Sequence, residues 1–169
     1  MKVSDATILV IPGEAPLDDG HWIDRWTGRL STALAVPSPE DGTPDPLPEL
    51  IGQAPGPVVA IAYREGVARL LDHADGAPVA GAFLVAPRGE EGSGPLAERD
   101  DPLPFPSILV ASRDDPDCDF ASAEEMGARW GSLFIDAGEA GRLDGASGRG
   151  PWPEGLMVLA KFLSRLPAR

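Results

Sequence analysis

The chain has 169 residues, of which 27 are acidic and 14 basic, so its formal charge at neutral pH is −13. This length suits a single domain, here expected to span residues 1–169, that buries a substantial core. The lysines and arginines are scattered rather than clustered, which argues against nucleic acids and anionic membrane surfaces as partners. The longest apolar runs have the length of a strand, well short of the roughly 20 residues that span a bilayer.

Cysteine content and the N-terminal sequence favour a cytoplasmic protein. The one cysteine, Cys118, excludes an intramolecular disulfide and a cysteine-rich metal site. The first residues lead through acidic sequence into a short apolar run, which is not the pattern of a signal peptide. The abundance of alanine, glycine, proline and aspartate is compatible with a bacterial source. We expect no metal ion and no organic cofactor.

Six short apolar runs predict β-strands. They are continuous rather than alternating, which is typical of strands covered on both faces of a sheet. In chain order the predicted strands are Thr7 to Ile11, Ala33 to Val36, Val58 to Ala62, Val79 to Ala86, Ser107 to Ala111 and Leu133 to Ile135.

Segments with the helical spacing of apolar residues lie between and after these strands. The predicted helices are found at Trp22 to Leu30, after Gly66, after Asp119 and at Leu156 to Leu163. Strands that alternate with helices predict an α/β fold, with a doubly wound sheet of about six mostly parallel strands and helices on both faces. Two stretches rich in proline or glycine, Pro37 to Pro46 and Arg88 to Pro104, are predicted to be mobile loops.

Ligands of such sheets bind outside the carboxyl ends of the strands. The loops that follow the predicted strands there begin at Pro12, Tyr63, Pro87, Ser112 and Asp136. In the sequence Ala62-Tyr63-Arg64-Glu65-Gly66 the third strand turns sharply into a helix, with an arginine at the turn. Many enzymes carry a nucleophile at such a turn, but a guanidinium stays protonated and cannot attack a carbonyl.

Three of these loops carry motifs of a known family. The sequences ILVIPG (8–13) and GHWIDRW (20–26), LPFPSILVASRDDPDC (103–118) and GEAGRLDGASGRGPWPEGL (138–156) resemble those of the small serine hydrolases related to retinoblastoma-binding protein nine. The resemblance extends over nearly the whole chain, and the long C-terminal motif is its most specific part. It implies a minimal version of the α/β-hydrolase fold.

The resemblance also implies where a catalytic triad would stand. The family has a serine at the sharp turn after the third strand, an acid in a Ser-Arg-x-Asp-Pro loop and a histidine in a Gly-Glu-x-Gly-His loop. In this chain those three positions hold Arg64, Asp115 and Arg142. Because only the acid, Asp115, is retained, the chain is expected to lack both the nucleophile and the base of the reaction.

The two arginines predict a catalytically inactive relative with a binding or regulatory role, whose ligand is a small anion or whose partner is another protein. The candidate ligand-binding residues are Gly13, Glu14, Tyr63, Arg64, Asp115 and Arg142. In one hypothesis Arg142 forms a forked pair with Asp115, and the two arginines leave a net positive pocket for an anion. In the other, the arginines fill the old pocket, pair with Asp115 and Glu65, and stabilise the fold.

Two further functions stay open on the sequence. One is an esterase or amidase with a rebuilt site, although the residues that could rebuild it suit helix ends, turns or the core: His21, His73, Ser112, Ser147 and Cys118. The other is an interaction module that uses its tryptophans, although these positions suit the core better: Trp22, Trp26, Trp130 and Trp152. The sequence leaves the oligomeric state open.

Overall fold

A six-stranded sheet forms the centre of the molecule in the computed structural model, which describes residues 1–88 and 95–167. The strands are β1 (Thr7–Ile11), β2 (Ala33–Ala35), β3 (Val58–Tyr63), β4 (Val79–Val85), β5 (Ser107–Ala111) and β6 (Leu133–Asp136). Their order is β2-β1-β3-β4-β5-β6, and every neighbouring pair is parallel. All six predicted strands are confirmed, with their ends displaced by at most one residue.

Helices cover both faces of this sheet. They are α1 (Trp22–Arg29), α2 (Leu47–Gln53), α3 (Glu65–Asp72), α4 (Pro95–Glu98), α5 (Phe120–Trp130) and α6 (Pro153–Arg165), preceded by a 3₁₀ turn at Val3–Asp5. One face packs against α2, α3, α4 and α5, and the other against α1 and α6. The predicted doubly wound α/β fold is confirmed. Within the described residues, none of the helices combines the length and the apolar character needed to cross a membrane.

The central strands are continuous apolar runs because both faces of the sheet are covered. Side chains alternate between faces along a strand, so that in β1 Leu9 and Ile11 pack toward α2 and α3 while Ile8 and Val10 pack toward α1 and α6. Every residue of β1, β3 and β5 is buried. The edge strands β2 and β6 are partly exposed, which explains why their apolar runs are the shortest.

The tryptophans belong to the core. Trp22, Trp26 and Trp152 pack against one another under α1 and α6, with the rings of Trp26 and Trp152 stacked at 5.5 Å between centroids. Trp130 is buried on the opposite face, and all four are at most 5% exposed. The interpretation of these residues as core is therefore confirmed.

The two predicted mobile loops differ in what the structure describes. The loop of residues 37–46 ends next to α3, where Asp45 accepts a hydrogen bond from Nε of Arg69 at 2.7 Å. In the loop of residues 88–104, residues 89–94 lie outside the described chain, and the next four residues form the short helix α4.

Candidate functional site

The turn between β3 and α3 has the strained form of a nucleophile elbow. Arg64 stands at its tip with φ 56° and ψ −124°, a conformation that residues other than glycine rarely adopt. Its N–H donates to the carbonyl of Val85, at the end of β4, at 3.1 Å. A Cβ added to Gly66 would lie 2.7 Å from the carbonyl oxygen of Pro12 and still closer to that of Ile11. Only glycine therefore lets α3 approach β1 this closely.

Two carboxylates from the loop after β5 hold the guanidinium of Arg64. Its Nη1 donates to Oδ2 of Asp115 at 2.6 Å, and its Nη2 donates to Oδ2 of Asp117 at 2.8 Å. The side chain of Arg64 is 6% exposed and that of Asp115 only 1%. Because burial removes both charges from water, short and well-directed bonds are needed to offset the loss of hydration. Arg64 is thus built into the protein interior at the elbow.

The two aspartates have pKa values that shift in opposite directions. Burial raises the pKa of Asp115, while the N–H of Asp117 and the guanidinium of Arg64 oppose that rise. The hydrogen bond from Arg142 lowers the pKa of Asp117, and the charges of Arg64 and Arg88 lower it further. Ionisation is therefore favoured at Asp117 by its arginine partners and opposed at Asp115 by burial.

Arg142 binds Asp117 rather than Asp115. Its Nε donates to Oδ2 of Asp117 at 2.6 Å, and its side chain is 52% exposed. The predicted forked pair of Arg142 with Asp115 is wrong. Asp115 is buried and pairs with the buried Arg64, whereas the side chain of Arg142 lies at the surface. The carbonyl of Arg142 accepts a hydrogen bond from the hydroxyl of Tyr63 at 2.8 Å. This bond joins the loop after β6 to the elbow.

Glu65, directly after the elbow tip, turns back toward the loop that follows β1. Its Oε2 accepts from the N–H of Glu14 at 3.2 Å, and its Oε1 lies 3.1 Å from Nη1 of Arg88. A Cβ added to Gly13 would lie 2.6 Å from the same Oε2, so glycine makes room for the carboxylate. The candidate residues Gly13 and Glu14 therefore do adjoin the elbow, but a side chain of the protein itself occupies the space beside them.

Three arginines face three carboxylates in what we call the arginine cluster. Its members are Arg64, Arg88, Arg142, Glu65, Asp115 and Asp117. The predicted net positive pocket is wrong. That prediction counted Asp115 as the one carboxylate beside the arginines, whereas Asp117 and Glu65 add two more negative charges. Sequence reasoning missed Asp117, although its spacing gave a signal: its N–H donates to Oδ1 of Asp115 two residues earlier, at 3.0 Å.

Both histidines have structural partners. His21 is buried and caps α1, where its Nδ1 accepts from the N–H of Ile23 at 3.1 Å, and burial lowers its pKa. His73 ends α3, with Nε2 at 3.3 Å from Oδ2 of Asp45, so it pairs with a carboxylate rather than with solvent alone. Among the residues described, neither histidine forms a hydrogen bond with a serine. Within the described chain, no histidine is therefore placed as the base that activates a serine hydroxyl.

The remaining candidate nucleophiles also have structural roles. The hydroxyl of Ser112 accepts from the N–H of Ala140 at 2.9 Å, and that of Ser147 accepts from the N–H of Arg142 at 3.2 Å. Burial raises the pKa of Cys118 to about 12, so the reactive thiolate is suppressed at neutral pH. Across residues 1–88 and 95–167, no three or more His, Cys, Asp or Glu side chains form a group that could hold a metal ion.

Comparisons with known proteins give the family and the fold. The family model described as serine hydrolase matches residues 8–161. The chain belongs to the serine hydrolase family. A search of curated proteins finds no match. Within the family, the relation to retinoblastoma-binding protein nine stays a prediction.

Solved structures of hydrolases share the fold. A YdeN-like hydrolase from Pectobacterium atrosepticum is 27% identical, with a TM-score of 0.82 over 98% of this chain and 95% of that one. The ydeN gene product of B. subtilis is 16% identical, with a TM-score of 0.73 over 94% of this chain and 98% of that one. The esterase Pf2001 of Pyrococcus furiosus is 11% identical, with a TM-score of 0.71 over 96% of this chain and 83% of that one.

Proposed function

We propose that this member of the serine hydrolase family is catalytically inactive and has a binding or regulatory role. One observation carries the proposal: at the elbow tip, where a serine hydroxyl would stand, the guanidinium of Arg64 lies between Asp115 and Asp117. A guanidinium is neither a nucleophile nor a base at neutral pH. Loss of the nucleophile and the base removes nearly all of the rate that a triad provides.

Two neighbouring features support the loss of hydrolysis. The position that the family resemblance gives to the histidine holds Arg142, which cannot accept a proton and return it. An elbow hydrolase also needs free N–H groups near the nucleophile to bind the oxyanion of the reaction intermediate. The N–H of Glu14, next to the elbow, already donates to the carboxylate of Glu65. This N–H is therefore occupied by a carboxylate of the protein itself and is not free to bind the oxyanion of a reaction intermediate.

The same cluster suggests where a partner would bind. The side chains of Arg142 and Arg88 are 52% and 48% exposed, and each forms one ion pair within the described chain. An arginine has five N–H donors, so both can bind a further acceptor from solvent, whereas the buried Arg64 cannot. We therefore place contact with a small anion, or with an acidic group of a protein partner, at Arg88 and Arg142.

Labelling with a fluorophosphonate probe tests the loss of catalysis. We expect intact-mass analysis to show no adduct under conditions that fully label an active serine hydrolase run in parallel. A single adduct would overturn the proposal, and it would support the alternative of an esterase or amidase with a rebuilt site. Peptide mapping would then identify the labelled serine.

Calorimetric titration with inorganic phosphate tests the binding role. We expect the wild type to bind phosphate, and Arg142→Gln to weaken binding about tenfold, as for the loss of a charge-assisted hydrogen bond. Arg29→Gln, at an exposed position in the last turn of α1, is the matched control and should bind as the wild type does. Wild-type affinity in the Arg142 variant would remove this surface as the binding site.

A further inference from the structure

A cavity of about 270 Å³ lies between the central strands and the start of α6. None of the six residues of the arginine cluster lines it, so it is separate from the elbow. Its apolar wall is formed by Phe83, Val110, Ile135, Trp152 and Val158. Small-molecule sites are usually apolar concavities with a few polar groups and volumes of roughly 300–1,000 Å³, so this cavity is slightly smaller than that range.

Arg149 is the one cation that lines the cavity. Its Nε is buried and has no hydrogen-bond partner in the described chain. The acids on the same wall do not pair with it: Asp136 binds Nε of Arg113 at 2.9 Å and the N–H of Gly138 at 2.8 Å, and the exposed Glu154 forms no ion pair with Arg149. A buried donor without an acceptor is unfavourable and is rare in folded proteins.

We propose that this cavity binds a small monocarboxylate with an apolar body, such as a medium-chain acid, and that Arg149 binds the carboxylate. The planar fork of a guanidinium matches the two oxygens of a carboxylate, and the carboxylate supplies the acceptor that Arg149 lacks within the described chain. The apolar body lies against Trp152 and Phe83, where it is removed from water. The small volume excludes large ligands, and the one lining cation, beside the carboxylates of Asp136 and Glu154, disfavours a ligand with more than one negative charge.

Glu154 repels an anion in the cavity, so its replacement provides a second test of the site. It lies in the first turn of α6 and is exposed. Its charge therefore acts on the bound carboxylate through solvent and has a modest effect. Replacement by glutamine, which removes the charge and keeps the size, is expected to strengthen binding two- to threefold, as for one weak exposed charge interaction.

Calorimetry with octanoate, and with octanol as its neutral analogue, tests the proposal. We expect octanoate to bind the wild type, and Arg149→Gln to weaken it by about 10- to 100-fold, as for the loss of a charge-assisted pair. Arg165→Gln, at an exposed position in the last turn of α6, is the matched control and should leave the affinity unchanged. Octanol should bind the wild type at least about tenfold more weakly than octanoate does.

A variant that fills the cavity locates the ligand. Val158→Trp should abolish octanoate binding while the urea unfolding curve stays cooperative; if it does not fold, Glu154→Gln gives the location through its tighter binding. The proposal is overturned if octanoate fails to bind at millimolar concentration, if Arg149→Gln binds it as tightly as the wild type, or if octanol binds equally well. Since the cavity does not include the elbow, these results are independent of fluorophosphonate labelling.

Discussion

Both ends of α3 carry an ion pair between an arginine and an aspartate, and the two pairs differ in their effect on the stability of the fold. At the N-terminal end Arg64 and Asp115 are buried, and burial raises the pKa of Asp115. At the C-terminal end Arg69 donates two hydrogen bonds to Asp45, which lower its pKa to about 2. In the first pair the attraction between the charges is offset by the hydration that both lose on burial. The second pair keeps more of its hydration and stabilises the protein at neutral pH.

The backbone shows the same difference. The residue that precedes α3 has a positive φ of 56°, while His73, which ends the helix, has an ordinary φ of −116°. A strained residue persists only where the surrounding structure holds it, and such positions concentrate at functional sites. Ion pairs are present at both ends, so their presence alone does not mark either end as a functional site. The strained backbone is what marks the N-terminal end as the elbow.

The largest effect is expected at the N-terminal end, from placing a serine at the elbow tip and a histidine at position 142. In the double variant Arg64→Ser/Arg142→His, the introduced serine stands on the retained elbow and Asp115 is freed to orient the introduced histidine. Fluorophosphonate labelling should become at least about 100-fold faster than in either single variant, because triad residues act as a unit. Labelling no faster than in Arg64→Ser alone would mean that the loop after β6 does not place its side chain over the elbow.

The second largest effect is expected on stability, when Arg64 is removed and the buried charge of Asp115 remains without its partner. Arg64→Met should lower the free energy of unfolding by about 3–5 kcal/mol at neutral pH, because Asp115 is then buried without its partner. The guanidinium of Arg64 lowers the pKa of Asp115, so in the variant this pKa rises further, the folded state binds a proton more readily, and the loss should grow as pH rises from about 5 to 8. Urea unfolding at both pH values measures it.

The surface arginine of the same cluster is the control for that measurement. Arg142→Met breaks an exposed pair with Asp117 and should lower the free energy of unfolding by less than about 1 kcal/mol. Equal losses in the two variants would contradict the distinction between a buried and an exposed pair within the cluster.

The sequence predicts the strands well because their signal is local. The buried runs Val58 to Ala62 and Ser107 to Ala111 are apolar at every position, as burial on both faces requires. The family motifs identify Arg64, Asp115 and Arg142 for the same reason, since each stands in a recognisable loop. Which arginine binds which aspartate is a different question. It depends on side-chain reach and depth across three loops, and the spacing along the chain does not determine these.

The cavity beside α6 is a stronger example of what a single sequence does not show. Its wall combines Phe83 of β4, Val110 of β5 and Trp152 before α6. Each of these residues reads as ordinary core, and the space among them arises only when the three elements pack. Arg149 lies in a glycine-rich motif, for which the sequence predicts only a loop. Its unpaired donor becomes visible only with the positions of the surrounding carboxylates.

The smallest effect is expected at the C-terminal end of α3. Asp45→Asn should lower the free energy of unfolding by about 1–2 kcal/mol at pH 7, the amount that the lowered pKa implies after allowance for solvent screening. Because the pKa of Asp45 is depressed, this contribution is present above about pH 4 and is lost as pH falls through about 2. Asp75→Asn, at an aspartate whose side chain is 79% exposed in its pair with Arg99, is the matched control and should change little. If both variants were as stable as the wild type throughout this range, the C-terminal pair would stabilise nothing, and the two ends of α3 would differ in backbone strain alone.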